Sequence, residues 1–206
     1  NDVKEANKQT LKMIHSIILV QGGVLLLWII SSQNFADYTG FSTLASIAPS
    51  AWLAAAALIV VYVWGAASIS TVREHMFKLD KLKYTAMLGA LISGIFEEIV
   101  FRKLLMDYMH QQQMSELWQV LASGAVFGIA HLVWGGKAIS AAINATFYTF
   151  FLGAGLAIVY ILSERNLAVC IIAHTIVTGL IEPGLIKAAV LNKLGYLTER
   201  RVSADT

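Results

Sequence analysis

Six long apolar stretches limit what this chain can fold into. A membrane-spanning helix needs about 20 mainly apolar residues, and each stretch is close to this length. The stretches cover residues 11–30, 47–69, 84–106, 117–134, 139–162 and 167–190. Because lipid offers the backbone no hydrogen-bond partners, stretches of this length are expected to form helices. We therefore predict an all-α, polytopic membrane bundle of about six transmembrane helices. A break is expected in the last helix, at Glu182-Pro183-Gly184.

The composition supports a membrane protein. The chain is 57% hydrophobic and 14% charged, whereas soluble domains are about 45–50% apolar and about 25% charged. The net charge of +2 is small and the basic residues are spread along the chain, which argues against a nucleic-acid partner. We expect one membrane domain over residues 1–206, in contact with the lipid bilayer. Nothing in the sequence indicates the oligomeric state.

The positions of Lys and Arg indicate how the predicted helices are oriented, because cytoplasmic loops of membrane proteins carry an excess of these residues. If the N-terminus is cytoplasmic, the outer connections hold only Arg165, with Arg102 and Lys103 near the outer end of the third stretch. The inner connections then hold Lys4, Lys8, Lys12, Arg73, Lys78, Lys81, Lys83, Lys137, Lys187, Lys193, Arg200 and Arg201. We therefore predict an integral protein of the cell membrane with both termini in the cytoplasm.

Two adjacent carboxylates and an arginine interrupt the third apolar stretch. A charge near the centre of a bilayer costs about 2.5–3.5 kcal/mol on insertion scales, so such residues usually have a partner or a function. Glu98 precedes Arg102 by four residues, and this spacing predicts an ion pair on one helix face. Glu97 points about 100° away and shares its face with small residues that permit close approach of another helix: Ala86, Gly89 and Ser93. A buried charge group that only fixes packing is the alternative interpretation.

Two histidines lie in other apolar stretches. In the fourth stretch, Phe127 precedes His131 by four residues, so its ring is expected to lie under the imidazole. In the sixth stretch, Cys170, His174 and Thr178 follow one another at intervals of four on one face. Taken alone, each histidine could be a polar packing contact between helices. Two histidines and a free glutamate on three neighbouring helices are better suited to activating a water molecule.

The order of these residues resembles a known family. Three motifs follow one another on three apolar stretches: Glu97-Glu98-xxx-Arg102, Phe127-xxx-His131 and a distal His174. This pattern is similar to that of the CPBP family of intramembrane proteases, also called the Abi or CaaX protease and bacteriocin-processing family. The resemblance covers about residues 84–181, which leaves the two spans of residues 11–70 outside the family core.

The resemblance implies an endopeptidase that hydrolyses a peptide bond of a membrane-associated protein or peptide, without a cofactor. Glu97 would be the general base that deprotonates water, His131 would hold that water, and His174 would stabilise the oxyanion. Glu98 and Arg102 would orient Glu97. The family usually has Asn or Asp four residues after the distal histidine.

The chain departs from the family pattern at that last position, where it has Thr178. A threonine hydroxyl donates one hydrogen bond but offers no amide NH₂ group. Asn144 on the preceding stretch is a possible substitute.

Three other functions are compatible with the sequence. A zinc-dependent protease would use Glu97, His131 and His174 as ligands, although no HExxH motif is present. A non-catalytic membrane partner or immunity protein would keep the fold and bind another protein, which the departure at Thr178 favours. A transporter could use Glu97 as a proton site, although no repeated half is visible.

If the predicted spans are straight, Glu97 and His131 lie at different depths in the membrane. At about 1.5 Å per residue, Glu97 would lie about 20 Å from the inner end of its predicted helix. His131 would lie within about 8 Å of the inner end of its own. Residues that share a water must be close together, so a boundary, the topology or the straightness of a helix must differ from this simple prediction.

Overall fold

The computed structural model describes residues 2–132 and 139–191 of the chain, and in these residues the regular structure is entirely helical. The all-α prediction is therefore confirmed. In chain order the elements are α1 (Asp2–Ser31), α2 (Phe35–Thr39), a 3₁₀ helix (Phe41–Ser46), α3 (Pro49–Ala66), α4 (Ser70–His75), α5 (Lys81–Glu98), a π-helical segment (Ile99–Met106), α6 (Asp107–Gln111), α7 (Glu116–Ala130), α8 (Ile139–Leu162), α9 (Leu167–Ile181) and α10 (Gly184–Val190).

Four helical runs in the described residues are long and apolar enough to cross a membrane: Lys4–Ser31, Pro49–Ala66, Lys81–Gln111 and Ala142–Leu162. The helices α9 and α10 form a fifth if they are counted as one bent span, with an angle of 52° between them. Their break falls at Glu182-Pro183, as predicted, because proline has no N–H with which to continue a helix. The fold is a helical membrane bundle.

The fourth predicted span is shorter in the structure than the apolar stretch that suggested it. The helix α7 has 15 residues and ends at Ala130. At 1.5 Å per residue it is about 22 Å long, which is less than the about 30 Å of a bilayer's hydrocarbon core. The predicted end of this span, residue 134, lies outside the described residues.

The length of the helix that carries Glu97 explains the conflict of depth. The helix that carries Glu97 continues to Gln111, and the turn of residues 112–115 joins it to α7. Glu97 lies 14 residues before Gln111, and His131 lies 15 residues after Glu116. Both residues therefore lie about 20 Å from the same connection and at the same level. The predicted end of the third span at residue 106 was therefore wrong, because this helical run continues to Gln111.

Close helix packing brings α5 to the centre of the bundle. The helix α1 packs against the face of α5 that carries Glu97 and the small residues. The contact is close, because a methyl group added to Gly89 would lie 3.1 Å from Ile14 Cγ2. The other side of α5 packs on α9, where Gly94 approaches Thr175. The helices α7 and α8 also approach closely at Gly128, since a methyl group there would lie 2.8 Å from the carbonyl oxygen of Thr146 in α8.

Candidate functional site

Three helical runs contribute side chains to a single, largely buried cluster. The helix α5 carries Glu97 and Glu98 on its last turn, and Arg102 follows in the π-helical segment. His174 is central in α9 and is buried, with 3% of its surface exposed. His131 directly follows the last residue of α7, where the backbone leaves the α-helical conformation (φ −90°, ψ 1°). π-helical turns within α-helices are frequent at functional sites because they rotate the residues on either side.

Glu97 lies between the two histidines. Its Oε2 is 3.9 Å from Nε2 of His131 and 3.7 Å from Nε2 of His174. Both separations are longer than a direct hydrogen bond, which is about 2.7–3.2 Å. This carboxylate oxygen is buried and has no hydrogen-bond partner among the described residues. A water oxygen placed about 2.8 Å from each of the three atoms is compatible with these spacings.

A backbone carbonyl fixes the orientation of His131. Its Nδ1 is 2.7 Å from the carbonyl oxygen of Phe127, so Nδ1 carries the proton and donates it to that oxygen. The Nε2 atom is therefore the one that faces Glu97. The Phe127 ring packs against the imidazole with 4.5 Å between ring centroids, as the spacing of four residues predicted.

Glu98 links His174 to Arg102. Its Oε1 lies 2.6 Å from His174 Nδ1 and its Oε2 lies 3.1 Å from Arg102 Nε. The carboxylate and the guanidinium are fully buried, with 0% of each side chain exposed, and the predicted ion pair is confirmed. The guanidinium also donates from Nη2 to the carbonyl oxygen of Gly153, at 2.8 Å.

These contacts change the interpretation of Glu98 and Arg102. The sequence suggested that the pair orients Glu97, but the two oxygens of Glu98 contact His174 and Arg102. Glu98 therefore holds the imidazole of His174 by Nδ1 and leaves Nε2 directed at Glu97. A carboxylate at one ring nitrogen fixes the tautomer and favours a proton or positive charge on the ring.

Two other residues from the sequence prediction are not joined to this cluster. The hydroxyl of Thr178 makes no hydrogen bond to the described residues, although its carbonyl oxygen accepts one from the Glu182 N–H at 2.8 Å. Asn144, considered as a substitute, is exposed on α8. The described structure thus assembles the two carboxylates, Arg102 and the two histidines, and leaves Thr178 without a polar contact to them.

The sequence prediction missed Gln21 on α1. Its Nε2 donates a hydrogen bond to Oε1 of Glu97 at 3.2 Å. A signal was available, because Gln21 is the only polar side chain within residues 17–30. Polar side chains inside membrane helices usually face other helices and bond across them.

The residues of the cluster do not form a ready metal site as they are placed. Among the described residues, no group of three or more His, Cys, Asp or Glu side chains has an arrangement that could hold a metal ion. Zinc requires its ligand atoms about 2.0–2.2 Å from the ion. Binding of zinc by Glu97, His131 and His174 would therefore require these side chains to move closer together.

Comparison with known proteins identifies the region that contains the cluster. Residues 80–180 match the family described as Type II CAAX prenyl endopeptidase Rce1-like. No curated protein and no solved structure matches the chain. The matched region contains both carboxylates, Arg102 and both histidines, and it excludes α1 with Gln21. Through residues 80–180, just under half of its length, the chain is similar to the Rce1-like proteases of the CPBP family.

Proposed function

We propose that this chain is an intramembrane endopeptidase of the glutamate type that hydrolyses a peptide bond near the prenylated CaaX end of a membrane-associated protein or peptide. The family description names CAAX prenyl endopeptidases and supports the substrate class. The observation that carries the proposal is the position of Glu97 Oε2, which faces Nε2 of both histidines at 3.7–3.9 Å.

In the proposed reaction, Glu97 is the general base. Its Oε2 takes a proton from a water that also contacts Nε2 of His131, and the water oxygen attacks the carbonyl carbon of the scissile bond. The proton on Glu97 is then transferred to the nitrogen of the leaving amine as the carbon–nitrogen bond breaks. A positioned general base or acid contributes about 10²–10⁴-fold to a rate.

His174 is proposed to stabilise the negative charge that develops on the carbonyl oxygen. Donation from its Nε2 requires a proton there, and Glu98 at Nδ1 supports the doubly protonated ring. One such donor is often worth about 2.7–4 kcal/mol in the transition state. The complete burial of Glu98 and Arg102 keeps this support rigid and away from water.

The proposed location is the cell membrane, with both termini in the cytoplasm. The family and the apolar helices indicate an integral membrane protein, and the distribution of Lys and Arg supports this orientation. In intact cells, an impermeant maleimide should label Gln113→Cys but not Gln9→Cys. The opposite labelling pattern would show that the N-terminus lies outside the cell and would contradict the proposed orientation.

Hydrolysis of a farnesylated, fluorogenic peptide that ends in CaaX tests the function. The purified chain in lipid vesicles should cleave the peptide, and Glu97→Gln should lower kcat by about 10²–10⁴-fold because the base is lost. Glu116→Gln is the matched control, since Glu116 is exposed at the start of α7, and it should keep the wild-type rate.

Two results would contradict the proposal. Wild-type turnover by Glu97→Gln would remove Glu97 from the reaction. A well-folded wild-type protein that binds the peptide but does not cleave it would favour the non-catalytic binding role.

A further inference from the structure

The hydrogen bond from Gln21 brings a fourth helix into the site described above. We infer that Gln21 positions Glu97 for catalysis and that its amide oxygen accepts a hydrogen bond from a backbone N–H of the bound substrate. This inference rests on the proposed function. It concerns α1, which lies outside the matched residues 80–180.

The two oxygens of Glu97 have different surroundings. Oε1 accepts a hydrogen bond from Gln21 Nε2 at 3.2 Å, whereas Oε2 faces the two histidines. A carboxylate held at one oxygen cannot rotate freely about its terminal bond, so the other oxygen stays directed at the histidines. Small displacements of a reacting group can cost about 100-fold in rate, and Gln21 is the side chain that prevents such a displacement.

The other end of the Gln21 amide is incompletely satisfied. Its Oε1 is buried and has no hydrogen-bond partner among the described residues. Since Nε2 must face the carboxylate in order to donate, Oε1 cannot exchange places with it. A buried carbonyl oxygen without a donor is unfavourable, and a substrate peptide carries a donor on every residue except proline. A backbone N–H of the substrate is therefore the group that this oxygen can recognise.

The packing of α1 fixes the register of Gln21. Ile14 is buried against Gly89 of α5, two turns before Gln21 on α1. A methyl group on Gly22, the next residue, would lie 3.6 Å from the Ile92 side chain, which is ordinary contact. The helix thus meets α5 closely on either side of the hydrogen bond, so the amide is carried by a rigid element.

The test measures kcat and KM separately for Gln21→Met. Methionine has a similar length and no amide group, so the helix packing should be kept. We expect kcat to fall by about 10–100-fold as Glu97 loses its restraint and KM to rise by about fivefold as the contact to the substrate is lost. The assay uses the farnesylated CaaX peptide and protein in vesicles, and the folded fraction is determined by size-exclusion chromatography and thermal unfolding.

Gln9→Met is the matched control, because Gln9 is exposed on the same helix and bonds only to Glu5 in the described contacts. It should leave both constants unchanged. A lower apparent kcat with an unchanged KM and a smaller folded fraction would show a purely structural role and overturn the inference. Wild-type constants for Gln21→Met would also overturn it, provided that Glu97→Gln is inactive. Full activity of Glu97→Gln would instead contradict the proposed function.

Discussion

Glu97 and Glu98 are adjacent in the chain but contact different partners. One turn of α5 directs Glu97 towards α1 and the two imidazole Nε2 atoms, and directs Glu98 towards Arg102 and the Nδ1 of His174. Neighbouring positions on a helix point about 100° apart, so two identical side chains can take separate roles. In the proposed reaction, one carboxylate moves the proton and the other supports His174.

Replacing Glu98 by Gln tests the second role through stability. The substitution leaves Arg102 as a fully buried charge without its carboxylate, and breaking such a pair by removing one partner typically costs about 3–5 kcal/mol. We expect this loss in the free energy of unfolding, measured in bicelles. The double variant Glu98→Gln with Arg102→Met should recover part of it, because the unpaired charge is also removed.

Glu116→Gln is the comparison for this experiment, since it makes the same chemical change at an exposed position. A free energy of unfolding for Glu98→Gln within about 0.5 kcal/mol of the wild-type value, the usual range for surface changes, would mean that the buried pair does not hold the site together.

For individual residues, spacing along one helix predicted some side-chain contacts and could not predict others. The ion pair of Glu98 with Arg102 and the ring contact of Phe127 with His131 each follow from a separation of four residues along the chain. The bond between Glu98 and His174 spans 76 residues, so no helical periodicity can reveal it. The sequence showed Gln21 only as an isolated polar residue in an apolar stretch, and it could not indicate that Glu97 is its partner.

The helix α7 shows how an element sets the site. It ends at Ala130, so that His131 lies within the bundle at the level of Glu97. Hydropathy could not predict this end, because apolar Leu132, Val133 and Trp134 continue the stretch. An average over about 19 residues does not distinguish a helix that stops inside a bundle from one that crosses the membrane. The contact of α7 with α8 was predictable, since Gly124 and Gly128 are spaced for close packing.

Gly128→Ala tests this element. The added methyl group would lie 2.8 Å from the Thr146 carbonyl oxygen and 3.2 Å from Phe150 Cβ, so the two helices must separate. Overpacking of this kind typically costs about 1–3 kcal/mol. We expect a lower free energy of unfolding and, because His131 follows three residues later, a lower kcat for the CaaX peptide.

Gly23→Ala is the matched change at an open position, where a methyl group meets nothing within 4 Å among the described residues. It should leave the activity unchanged, and the stability should stay the same or rise by about 0.5–1 kcal/mol because alanine favours a helix. Equal stability of the two alanine variants would contradict the close contact between α7 and α8.

The whole molecule brings together residues that lie far apart in the chain. The membrane class and the all-α fold were predictable because apolar length alone requires helices in lipid. The number of full spans was not predictable from apolar length, since α7 is short and α9 bends into α10. The family pattern identified the carboxylates and histidines, whereas the contribution of α1 depends on tertiary packing that the matched region does not include.

The most direct test of the central claim is the rate at which the chelator-treated chain, with its metal content measured, cleaves the farnesylated CaaX peptide. In the proposed mechanism, Glu97 activates water without a metal. The treated protein should therefore hold far less than one zinc per chain and cleave at the untreated rate. A rate that falls in proportion to the zinc removed, and returns when zinc is added back, would contradict a glutamate mechanism and identify a metalloprotease.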